Sequence, residues 1–295
     1  MLGEMISVGI PVYNEERSIT KCINSILTQL SDKDEIIVVA SGCTDSTIPK
    51  IKEIMRKDKR IKLIIEKERK GKTTALNLII KHAKNDIIVQ TDGDVILEKD
   101  AIKYLLKHFK NPDVGAVSGN PIPIIPKSSI LYEWTIMSYR KIDELRRKAS
   151  EEGNFWHLCG YLLAFRRNSL KKLPLVKGAV DALMGRLIIE KGYKIVYEPK
   201  AKVKVKCPVT IIDFIKQKSR VRAGYFFVSS YGEKPRNMVT EIFFFPKELL
   251  KVNLKRWPAF FISAIIYFYT WIKGWFFYKK NKSLNEIWQY VESTK

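Results

Sequence analysis

The feature that most constrains the fold is a regular alternation of β-branched runs with segments of helical spacing over the first 91 residues. Nearly continuous apolar runs such as IIVV and IIVQ predict strands, and apolar residues three and four apart predict the helices between them. The predicted strands are residues 6–12, 35–40, 62–66 and 86–91, and the predicted helices are residues 18–30, 47–57 and 73–82. Such apolar strands are typical of a parallel sheet covered on both faces, so the sequence predicts an α/β fold with ligands at the carboxyl ends of the strands.

The next part of the chain is expected to complete the same sheet. PIPIIP at 121–126 is incompatible with a helix, and the charged, aromatic run after it has helical spacing to about residue 150, which predicts a crossover. Ordered structure is predicted again at 155–166 and at 181–197, where LMGRLIIEKGYKIVY is typical of a helix, a glycine stop and a strand. With 295 residues the chain is long enough for one substantial domain with appended material.

The character of the sequence changes after Cys207. A charge-free run extends from 257 to 272, and Trp257, Trp271 and Trp275 suit the two interfaces of a bilayer. A spanning helix needs roughly 20 apolar residues, and Lys273 can extend the run by snorkelling. The sequence therefore predicts a transmembrane or membrane-inserted helix; the alternatives are a buried core helix and an aromatic dimer interface. The predicted parts are an α/β domain at 1–206, amphipathic interface helices at 207–253, the membrane helix at 254–280 and a tail at 281–295.

The charge of the chain predicts a phosphate-bearing partner. Lys and Arg number 53 and Asp and Glu 31, which gives 53 − 31 = +22. Nucleic acid, lipid head groups and a nucleotide ligand all fit that charge. The lysines are spread along the chain without a helix-turn-helix, RNA-binding or zinc signature, so a nucleic-acid-binding protein is a remote alternative and no nucleic-acid partner is expected. Four cysteines without a CxxC pair favour a reducing setting, and the N-terminus has no secretory signal pattern, so we expect a cytosolic location for the α/β domain.

The segment TDGD at 91–94 predicts a metal site at a strand end. Asp92 and Asp94 are two residues apart, so both carboxylates can lean to one side while Gly93 lets a ligand approach the backbone. Two such carboxylates repel each other unless a cation lies between them, and their hard oxygen atoms favour Mg²⁺ or Mn²⁺. A solvated turn is the alternative for an isolated DxD.

Three further motifs lie at predicted strand ends. PVYNEE leaves Asn14 and Glu15 at the edge of the sheet, where a plain helix cap is the alternative. In ASGCTDST, Asp45 is expected to cap a helix or to bind a ribose or a base. In RKGKTTALN, a glycine and two lysines precede a helix start, a place suited to phosphate oxygens, and a solvated basic turn is the alternative.

These four motifs, in this order, resemble glycosyltransferase family 2, whose members are inverting enzymes with the GT-A fold. HLCGYLLAFRR at 157–167 is similar to the family's acceptor-lining segment, and VDALMGRLIIEKGYKIVYEPKA at 180–201 is similar to its ED-containing helix. QKSRV at 217–221 resembles the QxxRW signature of membrane-bound cellulose and hyaluronan synthases. The resemblance covers most of residues 5–225 and implies a GT-A catalytic domain at 1–206.

The resemblance also implies a role for each matching residue. Asp181 would be the catalytic base, Asp92 and Asp94 would bind Mg²⁺ or Mn²⁺, and segment 159–161 would bind the acceptor through Cys159, Gly160 and Tyr161. The residues implied to bind the nucleotide sugar are Pro11, Tyr13, Asn14, Glu15, Ser41, Asp45, Lys72, Asp92, Gln217 and Arg220. For Asp181, the N-cap of the following helix is the alternative.

Three positions depart from the family pattern. Ala40 and Ser41 replace a common Asp-Asp pair, which puts recognition of uracil in doubt and leaves a GDP-sugar open. Val180 replaces the glutamate of ED, and Val221 replaces the tryptophan of QxxRW, so the acceptor platform is expected to differ from that of the polymer synthases.

The sequence therefore predicts a nucleotide-sugar-dependent hexosyltransferase at the cell membrane, with its catalytic domain on the cytosolic side. The donor would be a UDP- or GDP-hexose, and one mannose or glucose would pass to a lipid-linked glycan of the dolichyl or polyprenyl phosphate type, as in protein glycosylation. A processive polysaccharide synthase and a dolichyl-phosphate sugar synthase are the alternatives.

Overall fold

The protein is described here from a computed structural model that covers residues 5–155, 157–176, 178–229, 248–280, 286 and 291–294, without the side chains of 228, 229 and 292. The chain divides into two compact units. The first unit comprises Met1–Ile122, Asp143–Leu175 and Val180–Val205, and the second comprises Pro123–Ile142, Val176–Ala179 and Lys206–Lys295. Residues 230–247 of the predicted interface region and most of the predicted tail at 281–295 lie outside the described residues.

Eight strands form one sheet in the order β3-β2-β1-β4-β7-β6-β8-β5. The strands are β1 Ile6–Val12, β2 Glu35–Ser41, β3 Ile61–Glu66, β4 Ile87–Thr91, β5 Val95–Leu97, β6 Val114–Ile124, β7 Leu162–Arg166 and β8 Lys194–Lys206. The pairs β1–β2, β2–β3 and β1–β4 are parallel, whereas β4–β7, β6–β7 and β5–β8 are antiparallel. The sheet is therefore mixed, with a parallel half at the N-terminal end of the chain.

The described part of the chain contains these α-helices: α1 Ile19–Leu27, α2 Thr47–Lys57, α3 Lys72–His82, α4 Ala101–Leu106, α5 Tyr132–Glu151, α6 Val180–Glu190, α7 Ile211–Ser229 and α8 Trp257–Lys279. Short 3-10 turns lie at Lys107–Lys110, Arg167–Ser169, Leu254–Arg256 and Glu292–Thr294. The predicted α/β alternation is confirmed, and the strand at 6–12 and the helix at 47–57 have the predicted bounds.

Burial explains why the strand predictions were accurate. Every residue of β2 and β4 is buried, and so is every residue of β1 except the half-buried Pro11. One apolar cluster joins β1, β2 and β4 to the inner faces of α1 and α4, with Ile10, Ile23 and Leu105 fully buried in it. Strands buried on both faces need unbroken runs of β-branched residues, which is the pattern seen in the sequence.

The strand order places one crevice at the carboxyl edge of the sheet. Chain connections lead from β1 outward to β2 and β3, and then back to β4 on the other side of β1. In open α/β sheets, ligands bind where the strand order reverses in this way. The loops after β1 and β4, which carry the first and last of the four motifs, therefore lie side by side at this switch point.

The second unit is built around a cluster of aromatic side chains. Trp134 of α5 lies 4.9 Å from Tyr267 and 5.4 Å from Phe260 of α8, ring centroid to centroid. Arg222 of α7 is buried, and its Cζ lies 4.1 Å from the ring centroid of Trp271. The opposite side of α8 is exposed and apolar: Phe261, Ile262, Ile265, Tyr269, Ile272, Trp275 and Phe276.

Candidate active site

The loop after β1 is tied to the loop after β2 by reciprocal hydrogen bonds. The Asn14 amide nitrogen donates to Thr44 Oγ1 at 3.1 Å, and the Thr44 N–H donates to Asn14 Oδ1 at 2.9 Å. Asn14 has a φ of 53°. Asn is among the few residues that adopt this left-handed conformation readily, which explains its place at the turn. The predicted binding residue Asn14 thus holds two motifs together.

Asp45 makes the second link between these loops. Its Oδ1 accepts the N–H of Thr47, the first residue of α2, at 3.0 Å, and its Oδ2 accepts the N–H of Glu16 at 3.1 Å. The Thr47 hydroxyl in turn accepts the N–H of Glu15, a buried carboxylate, at 2.7 Å. Asp45 therefore bonds the first residue of α2 although Ser46 is the residue that precedes the helix, and its contact with a ribose or a base stays a prediction.

The third motif joins the same network from β3. Ser41 Oγ accepts the N–H of Lys70 at 3.1 Å and donates to the carbonyl of Glu68 at 3.4 Å. The Arg69 guanidinium stacks on Tyr13, with its Cζ 3.9 Å from the ring centroid. Three consecutive strand ends are thus cross-linked, and nucleotide binding by Tyr13 and Ser41 stays a prediction.

The TDGD segment forms the turn between β4 and β5, with Asp92 and Asp94 both half-buried. Gly93 is required there because an added Cβ would lie 2.6 Å from Val12 Cγ1, too close for two carbon atoms. Lys72, the first residue of α3, places its Nζ 2.5 Å from Asp92 Oδ1. The lysine predicted to bind phosphate therefore forms an ion pair with the predicted metal ligand.

The electrostatic effect of the aspartates is visible in two neighbours. Burial alone would lower the pKa of Lys72, but Asp92, followed by Asp181 and Asp94, outweighs burial and raises this pKa above its ordinary value. The Cys22 thiol donates to the Asp92 carbonyl at 3.3 Å. Burial raises the pKa of that thiol, and Asp94 and Asp92 raise it further. The negative potential at the end of β4 therefore raises both pKa values, and for the thiol it adds to the larger effect of burial.

Asp181 lies in the first turn of α6, one residue after the start of the helix at Val180. Its Oδ2 accepts the N–H of Gly160 at 3.2 Å. A Cβ on Gly160 would lie 3.2 Å from that oxygen and 3.5 Å from Lys72 Nζ. Asp181 and Lys72 are therefore both packed against Gly160, so the first unit gathers the predicted base, the lysine and Asp92 into one site.

The neighbours of Gly160 differ in how they face this site. The Cys159 side chain is buried, and its N–H donates to Ser118 Oγ at 2.9 Å, so its sulfur belongs to the core. Tyr161 is half-buried, and its carbonyl accepts the Thr91 hydroxyl at 2.7 Å. Acceptor binding by this segment stays a prediction, for which Gly160 and Tyr161 are placed better than the Cys159 side chain.

The last two predicted binding residues belong to the second unit. Gln217 and Arg220 lie on α7, three residues apart, and so project from the same side of that helix. Their contact with the donor diphosphate stays a prediction. Pro11 lies within β1, next to the last residue of the strand.

Asp92 and Asp94 fit a hard divalent cation by the chemistry of their donor atoms, because Mg²⁺ and Mn²⁺ prefer carboxylate oxygens. Within the described ranges, no three His, Cys, Asp or Glu side chains are grouped closely enough to hold a metal ion. A cation at this turn would therefore take its remaining ligands from water and from a bound substrate, as Mg²⁺ commonly does with phosphates.

Sequence reasoning missed the residues that support the site. Thr44, Thr47 and Ser118 each hold a motif residue through a hydroxyl group, and Gln90 holds Gly160. Apart from the position of Gln90 two residues before Asp92, no local signal marks them, since their partners lie 30 to 70 residues away in the sequence.

Comparison with known proteins shows the family of this chain. The family model described as "Glycosyl transferase family 2" matches residues 7–174, which is more than half of the chain. The chain belongs to this family. The match includes all four strand-end motifs and Gly160. As a family 2 member the protein is a glycosyltransferase, which confirms the resemblance seen in the sequence.

Curated relatives of the chain include two polymer synthases. Over 226 residues the chain is 30% identical to the poly-beta-1,6-N-acetyl-D-glucosamine synthase of Staphylococcus aureus (strain COL) and 31% identical to that of Staphylococcus epidermidis. Each alignment covers 75% of this chain and 54% of the relative. The chain therefore spans about half the length of the curated relatives it matches.

A solved structure confirms the fold. The mannosyltransferase PcManGT from Pyrobaculum calidifontis, in complex with GDP-Man and Mn²⁺, matches with a TM-score of 0.71 and 20% sequence identity. The match covers 96% of this chain and 89% of that chain. This similarity confirms the predicted GT-A fold.

Proposed function

We propose that this family 2 enzyme transfers a single hexose, mannose or glucose, from a nucleotide sugar to a lipid-linked glycan at the cytosolic face of a membrane. The observation that carries the proposal is the convergence of Asp92, Lys72 and Asp181 at the carboxyl edge of the sheet, where the first two form an ion pair and the last two pack against Gly160. A transferase needs a cationic group for a departing diphosphate and a base for an acceptor hydroxyl, and the first unit provides both.

In the proposed reaction, Asp181 accepts the proton of the acceptor hydroxyl as its oxygen bonds to the anomeric carbon of the donor sugar. The bond from that carbon to the diphosphate oxygen breaks on the opposite face, and its electron pair leaves with the nucleoside diphosphate. Attack opposite the leaving group inverts the configuration. Lys72 is positioned to move from Asp92 to the departing phosphate oxygens, where its positive charge stabilises them.

Asp92 and Asp94 would hold the divalent cation. When bound, Mg²⁺ or Mn²⁺ supplies charge neutralisation for the leaving diphosphate. Support for a guanine nucleotide and for Mn²⁺ comes from the mannosyltransferase of the same fold, whose structure contains GDP-Man and Mn²⁺. Ala40 and Ser41 also favour a GDP-sugar, because the acidic pair common in the family at this turn is absent.

The membrane part of the proposal rests on α8. The segment Leu254–Lys279 is long and apolar enough to cross a membrane, and only 39% of its most apolar window is buried. Its exposed side contains Ile265, which is 70% exposed, and Ile272, which is 55% exposed. A soluble protein rarely leaves such a continuous apolar face in water, so a lipid surface is the expected environment.

Donor and acceptor can be identified with the detergent-solubilised full chain. A donor at a concentration of 100 times its Kd stabilises the fold by about 2.7 kcal/mol, which raises the melting temperature by several degrees. We expect that shift with GDP-mannose plus Mn²⁺, and transfer to polyprenyl-linked sugars rather than to bare polyprenyl phosphate. No shift and no transfer with any GDP- or UDP-hexose would contradict the proposal.

Asp181→Asn tests the base. We expect a fall in kcat of about 10²- to 10⁴-fold with the donor-induced shift retained, because general base catalysis contributes in that range. Asp86→Asn is the control, since the Asp86 side chain is 95% exposed on another loop. Unchanged transfer by Asp181→Asn would show that another group takes the proton.

Ile265→Glu tests membrane binding in a vesicle flotation assay with anionic lipids. Burying an isoleucine in an apolar phase is worth about 1.5 to 3 kcal/mol, so partitioning should weaken at least about ten-fold. Ile65→Glu is the control, because Ile65 is 47% exposed on β3 in the first unit. Equal flotation of both variants would argue against insertion of α8.

A processive synthase is the second candidate, because the curated relatives at 30% and 31% identity are synthases of a polysaccharide. Product length distinguishes the two functions. A ladder of long polymers from a single acceptor would favour the synthase, and one added hexose would favour the single transfer.

A further inference from the structure

Gln90 occupies an unusual place for a polar side chain. It is the fourth residue of β4, lies between Gly9 of β1 and Leu163 of β7 in the sheet, and is 1% exposed. Ile88, two residues earlier on the same face of the strand, is fully buried as well. An apolar residue is therefore the ordinary choice at this position.

Only one half of the Gln90 amide has a protein partner. Its Nε2 donates to the carbonyl of Gly160 at 2.9 Å. Its Oε1 is buried and accepts no hydrogen bond from the residues that the structure describes. A buried amide oxygen without a partner lowers the stability of the fold relative to an apolar side chain of the same size. Residues that break a packing rule in this way concentrate at functional sites.

The hydrogen bond that Gln90 makes connects it to the proposed base through a single residue, Gly160. Gly160 accepts from Gln90 through its carbonyl and donates through its N–H to Asp181 Oδ2. The adjacent residues are fixed as well, since Thr91 bonds the Tyr161 carbonyl and Ser118 bonds the Cys159 N–H. Gln90 and Thr91 directly precede Asp92. The end of β4, which carries the proposed donor site, therefore also holds residues 159–161, which contact Asp181.

We propose that Gln90 is a positioning residue which, through the peptide groups of Gly160, sets the place of the Asp181 carboxylate relative to Asp92. This inference rests on the proposed function, in which Asp181 is the base. Without the amide, the Gly160 carbonyl loses this hydrogen bond, and the peptide group between Gly160 and Tyr161 is held less firmly. Transfer requires an acceptor oxygen within hydrogen-bond reach of the base and in line with the leaving group, and a misplacement of about 1 Å can reduce the rate 10²-fold.

The test compares Gln90→Met with Ile88→Met in the full-length protein. Both changes place methionine on the same face of β4, and methionine has nearly the shape of glutamine. For Gln90→Met we expect a melting temperature equal to or above that of the wild type, an unchanged Kd for GDP with Mn²⁺, and a kcat at least about ten-fold lower. For Ile88→Met we expect unchanged kcat and Kd. A purely structural role would instead lower the melting temperature and weaken nucleotide binding together with kcat.

The hydrogen-exchange rate of the peptide that contains Gly160 tests the inference without an activity assay. We expect Gln90→Met to accelerate exchange at the Gly160 amide by about ten-fold or more, because its neighbours hold it less firmly. Ile88→Met should leave the exchange rate unchanged. Wild-type exchange or wild-type kcat in Gln90→Met would overturn the inference. Full transfer by Asp181→Asn would show that Asp181 is not the base. If Gln90→Met still accelerated exchange, Gln90 would nevertheless be shown to fix the Gly160 peptide.

Discussion

Replacement of Lys72 by methionine should tighten Mn²⁺ binding to the donor-free enzyme. Lys72 Nζ lies 2.5 Å from Asp92 Oδ1, and the two side chains are 23% and 24% exposed. At an effective dielectric constant of about 20, the Coulomb attraction over that distance is about 7 kcal/mol. Desolvation of the two charges offsets several kcal/mol of it, so a net contribution of about 1 to 3 kcal/mol remains.

A metal ion that binds Asp92 must compete with this ammonium group. Removing the competitor should therefore lower the Kd of Mn²⁺ about ten-fold, which corresponds to about 1.4 kcal/mol. With GDP present, the wild type should bind Mn²⁺ more tightly than Lys72→Met, because the variant lacks the cation that is proposed to contact the diphosphate. The raised pKa of Lys72 keeps it protonated through neutral pH, so the difference should be constant from about pH 7 to about pH 9.

Free Mn²⁺ can be counted by electron paramagnetic resonance during titration of the protein without donor, so no catalytic turnover is needed. Lys67→Met is the matched control, because it removes the same charge from an exposed position beyond β3. If both variants lowered the Kd of Mn²⁺ equally, the change in net charge alone would explain the effect. Weaker Mn²⁺ binding by Lys72→Met in the absence of GDP would refute the competition.

Two further predictions concern stability. Burial alone would raise the pKa of Glu198, but its bonds to Lys107 and a neighbouring histidine outweigh burial and hold the pKa below the ordinary value of 4.5. Glu198→Gln should therefore destabilise the protein by about 2 kcal/mol at neutral pH, and the difference should vanish as the pH falls through the lowered pKa, as urea unfolding at the two pH values will show. In the second unit, a Cβ on Gly274 would lie 2.5 Å from Arg222 Cβ. Gly274→Ala should therefore lower the melting temperature through overpacking of about 1 to 3 kcal/mol, and an unchanged thermal scan would show that α7 and α8 separate freely.

The parallel half of the sheet was predictable because its signal is local. Strands β2 and β4 are buried throughout, and β1 is buried except at Pro11, so each is written as an apolar run followed by polar turn residues, and strand bounds such as Ile6–Val12 follow from that pattern. The insertion of β7 between β4 and β6 has no such signal. It depends on pairings such as Gln90 with Leu163, which are far apart in sequence and are decided by the packing of the whole unit.

The same contrast holds within the site. Asp92, Asp94 and Asp181 stand in motifs with a recognisable order, whereas Gln90 looks from the sequence like a minor irregularity in an apolar strand. Its importance depends on Gly160, which folding places next to it from 70 residues away. Hydrogen bonds from a strand to a distant peptide group leave no periodicity in the sequence, so only the structure reveals them.

Lys72 has a contact in the structure that its motif did not predict. The glycine and the start of α3 predict a place for phosphate, and the structure shows that the ammonium group also forms an ion pair with Asp92. The partly buried carboxylates of Asp92 and Asp94 need a positive neighbour, which explains the position of the ammonium group. We propose that the ammonium would contact the diphosphate of a bound donor, and the flexible stem of a lysine allows that change of partner. An arginine at this position, with a planar group made for two-point binding to a carboxylate, would hold Asp92 more firmly and release it more slowly.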